Sequence, residues 1–94
     1  MVFELLKDIK VETKALKQRE EGDFLIAMSE DMKISYLNSM AKDVYSRLNG
    51  IKTIADIFNE LLNEYDVAEN VLKTDLISLI RDLQWQFLIR LKRI

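Results

Sequence analysis

Hydrophobic and polar positions alternate with a period of two up to Leu37 and follow a helical period beyond it. Phe24, Ile26 and Met28 share one face of a predicted strand, with Leu25 and Ala27 on the other. Glu30 and Asp31 make a polar turn, after which Met32, Ile34 and Tyr36 alternate with Lys33, Ser35 and Leu37, so residues 24–37 read as a hairpin. A weaker alternation over residues 11–16 predicts a preceding strand, joined through a turn at Glu20, Glu21, Gly22 and Asp23. Residues 1–8 fit a short helix or an extended arm.

Helical spacing then takes over. Ala41, Val44, Tyr45 and Leu48 form one apolar stripe, and Ile54, Ile57, Phe58, Leu61, Leu62 and Tyr65 form a longer one. Asn38 or Ser39 can cap the first of these helices, because a short side-chain oxygen accepts a bond from an orphan amide of the first turn. Gly50 is expected to end it, and Thr53 to open the next with Asp56 three residues on, close to a capping box. Residues 66–70 break the pattern. Thr74 is the expected cap of a last helix whose core stripe is Leu76, Ile80, Leu83 and Phe87. The predicted architecture is a single α+β domain over residues 1–94, winged-helix-like, with a three-stranded antiparallel sheet followed by three helices.

Composition narrows the chemistry. The chain has 94 residues, no Cys and no His, two Gly and a net charge of −2. Thiolate chemistry, disulfides, iron–sulfur ligation and His-based acid–base catalysis are therefore excluded. A phosphate-cradling Gly-rich loop is absent. No catalytic residue, metal site or cofactor is expected, and the chain reads as a non-enzyme. The charge offers no global attraction for nucleic acid. No apolar run reaches the ~18–20 residues that span a bilayer, and residues 1–8 carry acids, unlike a signal peptide. Neither a membrane nor a nucleic-acid partner is expected, and the expected location is the cytoplasm.

The ordered set Leu37-Asn38, Ala41, Val44-Tyr45, Leu48, Gly50, Thr53, Asp56-Ile57 resembles the pattern of the PqqD-like family, the small recognition elements that bind leader peptides of ribosomally made, modified peptides. A second block, Asp75-Leu76, Leu79-Ile80, Leu83 and Leu88-Ile89, is similar to that family's C-terminal pattern, with Phe87 standing where the family has Gly. The resemblance runs from about Phe24 onward. It implies a stand-alone peptide chaperone that takes a leader as an extra strand and presents it to a separate modifying enzyme, in that family often a radical-SAM enzyme.

An edge strand at residues 32–37 has unpaired backbone groups that another chain can use. The resemblance places the leader beside Lys33, Ile34, Ser35 and Tyr36. It makes Asp75, Ser78, Leu79, Asp82 and Gln86 of the last helix the other wall of the groove. Trp85 either meets a partner or folds back onto the sheet. Asp56, Glu60 and Glu64 form an acidic stripe that suits a solvated face or a basic partner. Arg90, Lys92 and Arg93 either complement a helix end or meet phosphate. A winged-helix DNA-binding regulator and a structural subunit without a peptide ligand stand as alternatives. Asp75 and Asp82 on the docking helix oppose the first of these.

Overall fold

The computed structural model describes residues 2–92 and holds ten elements. They are α1 (Val2–Leu6), β1 (Lys10–Thr13), β2 (Lys17–Glu21), β3 (Phe24–Met28), β4 (Ile34–Leu37), α2 (Ser39–Arg47), β5 (Asn49–Thr53), α3 (Ile54–Glu64), α4 (Glu69–Trp85) and β6 (Ile89–Lys92). The α+β expectation holds, but the strands divide into two antiparallel sheets, ordered β5-β1-β6 and β2-β3-β4.

The expected strand over residues 11–16 is displaced by this division. Val11 is fully buried in β1, which pairs with β5 and β6 rather than with β3. The partner of β3 is β2, a charged strand exposed at every position. A two-residue turn selects it. Gly22, at φ +60, supplies the positive dihedral that a tight hairpin needs at its first central position, so Glu21 faces Phe24. Leu25 and Ala27 of β3 are buried with Leu37 of β4. Ile26, Met28, Ile34 and Tyr36 lie on the other face of the same sheet, since directly opposed residues share a face.

Local chemistry accounts for most helix ends. Asn38 caps α2, its Oδ1 accepting from Ala41 N–H at 2.9 Å. Thr53 and Asp56 form a complete capping box at the start of α3. Gly50 does not end α2. That helix stops at Arg47, and Gly50, at φ +76, lies inside β5 near an irregular register with β1. Thr74 does not cap α4 either. The helix begins at Glu69 after Ala68 without a side-chain cap, and Thr74 Oγ1 donates back to Asn70 O within it.

The core gathers Val11, Leu25, Leu37, Val44, Ile54, Ile57, Phe58, Leu61, Leu72, Leu76, Ile80, Leu83 and Leu88. Phe3 of α1 joins it with its ring 5.0 Å from that of Phe58, edge to face. Phe87 leaves the expected core stripe of α4, and Leu72 and Ile77 complete it instead. Among the described residues no helix is long and apolar enough to cross a membrane.

Candidate functional site

The two edges of the β2-β3-β4 sheet differ in chemistry. Lys17, Arg19, Glu20 and Glu21 guard β2, which suits a strand that must stay solvated. From Ile34 to Leu37, β4 carries no charge at all. Ser29 N–H donates to Lys33 O at 2.9 Å across a turn in which Met32 takes φ +68. Hydrogen-bonded pairs recur every second residue of an antiparallel ladder, so Ser35 and Leu37 bond to β3. Ile34 and Tyr36 therefore turn their N–H and C=O groups to the open edge, and no described strand pairs there.

Two contacts align α4 with this edge. Asn38, the residue after β4, lines a 320 Å³ cavity with Met40, Ala41 and Val44 of α2 and Asp75, Leu76, Ser78, Leu79 and Asp82 of α4. Lys33, the residue before β4, holds its Nζ 5.7 Å from the ring of Phe87, just past the end of α4. The strand and the helix thus run antiparallel between these two points. The cavity between α2 and α4 thus opens beside the end of β4, with Val44, Leu76 and Leu79 as its apolar lining.

Four of the five expected wall residues, Asp75, Ser78, Leu79 and Asp82, line one cavity. Gln86 lies beyond it, half-buried, with Oε1 enclosed and without a hydrogen-bond partner. The α2 contribution was not read from the sequence. Asn38 caps α2 and Ala41 and Val44 belong to the core stripe, and all three also line the cavity. Trp85 is the last residue of α4 and is 83 % exposed, so it does not fold back onto the sheet.

Phe87, which stands where the resembled pattern has Gly, takes a positive φ that favours Gly. Leu88 N–H donates to Leu83 O at 3.0 Å, and Phe87 N–H to Gln84 O at 3.1 Å. These are the two bonds of a Schellman motif, with Phe87 at the left-handed position, φ +60. Leu83 and Leu88 supply the buried apolar contact that accompanies it. Lys14 and Lys33 both stand 5.7 Å from the Phe87 ring centroid.

The acidic stripe is answered from within the fold. Arg47 of α2 bonds Asp43, Glu60 and Glu64, and Lys52 also bonds Glu60. Asp56 is spent on the capping box. Burial works against the charge of Asp43, yet bonds from Tyr65 and Arg47 hold its pKa below the usual value. The Lys52 bond, joined by that of Arg47, lowers Glu60, and the Arg47 bond lowers Glu64. The stripe therefore needs no basic partner. Arg90 lies in β6 beside Glu12 at 3.6 Å rather than at a helix end. Lys92 is the last residue of β6, and Arg93 is outside the described residues.

Comparison with known proteins bears on the family and the fold. The family model for coenzyme PQQ synthesis protein D (PqqD) matches residues 25–89. The fold is similar to that of TbiB1 in a solved complex with the TbiA(beta) leader peptide. That match has a TM-score of 0.75 and 18 % identity, over 84 % of this chain and 94 % of the other. No curated protein matches the chain.

Proposed function

The chain belongs to the PqqD family, and from that premise we propose that it is a peptide chaperone. It binds the leader of a ribosomally made precursor by strand addition and presents it to a separate modifying enzyme, of the radical-SAM class in many relatives. The observation that carries this reading is the uncharged, unpaired β4 edge, which leads through Asn38 into the cavity between α2 and α4. A strand laid there completes hydrogen bonds to Ile34 and Tyr36. Its alternate side chains turn toward Val44, Leu76 and Leu79. The module needs no catalytic group of its own, since its work is to hold the substrate in an extended form.

The TbiB1 complex supports the reading by analogy, because a protein of this fold carries a leader peptide. Asp75 and Asp82 on α4 argue against docking to a nucleic-acid backbone. The test is a titration of the isotopically labelled chain with the leader of a short precursor encoded beside its gene. The Ile34 and Tyr36 amides should gain protection from hydrogen exchange, with shift changes at Asn38–Val44 and along α4 from Asp75 to Asp82. Perturbation confined to α1 would remove the site from this cleft.

A further inference from the structure

The charge of the cleft is one-sided. Asp75 and Asp82 both line the cavity, and among the described residues neither has an ion-pair partner. Of the other helix carboxylates, Asp43, Glu60 and Glu64 are met by Arg47 and Glu4 and Glu69 by Lys73, and Asp56 bonds the Thr53 backbone N–H. The remaining lining, Asn38, Met40, Ala41, Val44, Leu76, Ser78 and Leu79, carries no cation. Lys14 and Lys33 stand at Phe87, where Lys33 already pairs with Asp31 at 3.6 Å, and Lys42, next to Ala41, pairs with Glu20 at 3.4 Å.

Spacing makes this charge specific. Along α4, Asp75 and Asp82 lie roughly 6 Å and 4.5 Å to either side of Leu79. In an added strand the residues facing the helix recur every ~6.6 Å. An apolar side chain seated over Leu79 therefore has its two inward neighbours close to the two carboxylates. Resting on the peptide-binding reading above, we propose that the cleft selects a basic peptide strand. Its motif is a large apolar residue with Lys or Arg two positions before and two positions after it. Lys and Arg suit these places, because their apolar stems lie along the cleft floor while their charged ends reach the exposed carboxylates.

The test is a display selection of random dodecamer peptides against the whole chain, run in parallel with the double variant Asp75→Lys/Asp82→Lys. Both positions are exposed, so the fold is retained. The natural chain should enrich Lys or Arg two residues on either side of Leu, Ile, Phe or Met, and the double variant should enrich Asp or Glu there. In anisotropy titrations of an enriched peptide, Asp75→Asn and Asp82→Asn should each weaken binding about twofold to fivefold, the size of a solvent-exposed ion pair. Added salt should shrink that difference. Enriched peptides without a basic preference, bound equally by the Asn variants, would overturn the charge inference while leaving a peptide-binding module. Failure of the natural chain to enrich any peptide would overturn both.

Discussion

Replacing Phe87 by Ala and by Gly should cost the protein different amounts, in the reverse of the order usual for helices. Phe87 sits at φ +60, where a residue with a Cβ is disfavoured by ~1–2 kcal/mol. Gly removes that strain but brings ~0.4–1 kcal/mol of extra freedom to the unfolded chain. The balance favours Gly over Ala by up to ~1.5 kcal/mol. Both variants lose the ring. At 48 % exposure it keeps roughly 100 Å² of apolar surface from water. That is worth ~2.5 kcal/mol at ~25 cal/mol per Å². The two lysines above it add up to ~1 kcal/mol each at so exposed a place. Phe87→Ala should therefore cost roughly 2–4 kcal/mol and Phe87→Gly somewhat less, a difference of a few degrees in melting temperature for a domain of this size. Urea unfolding followed by far-UV circular dichroism measures both. If Phe87→Gly proves no more stable than Phe87→Ala, the strain at the end of α4 has been misjudged. If neither differs from the natural chain, the ring contributes nothing to stability.

Three further outcomes are expected. Leu61 is fully buried on α3, so Leu61→Ala should cost ~2–5 kcal/mol, and an unmoved denaturant midpoint would place Leu61 outside the core. Tyr36→Pro removes an outward donor of β4 and should abolish protection of the edge by a leader while leaving β3–β4 pairing in place. Ser35→Pro removes a bond to β3 and should destabilise the sheet itself, a contrast that thermal melts and peptide titration together resolve. Asp43 and Glu60 have folded pKa values below their ordinary 3.8 and 4.5, and Glu64 is lowered likewise. The stability they confer is therefore complete above those ordinary values and is lost as pH falls through the depressed ones. Arg47→Met should lower stability at neutral pH and flatten this acid limb in urea titrations from neutral pH downward, and an acid limb of unchanged steepness would exclude Arg47 as its source.

Much of the chain was legible because its signals are local. The capping box at Thr53 and Asp56, the Asn38 cap and the apolar spacing of α3 each involve residues within a few positions of one another. Backbone geometry alone makes such neighbours meet. Alternation likewise marked β3 and β4, and the ordered residues from Leu37 to Ile57 carried the family resemblance that the match over residues 25–89 sustains. The composition also ruled out whole classes of chemistry.

Pairing across the chain was not legible in the same way. The charged strand β2 has no alternation to reveal it, and only the turn at Gly22 and the open side of β3 make it a strand. Val11 has the burial expected of a strand residue, but which sheet receives it depends on β5 and β6, nearly forty and eighty residues away. The acidic face of α3 resembled an interaction surface until α2 brought Arg47 across it. The cavity is likewise assembled from Asn38, Val44 and Asp75, which no local spacing connects. Sequence by itself determined β3, β4, α2 and α3 and most of their buried faces, because periodicity and capping act over a turn or two. Tertiary structure decided the strand partners, the charge compensation and the cleft, because each requires distant segments to meet, and their closeness is set by packing of the whole core.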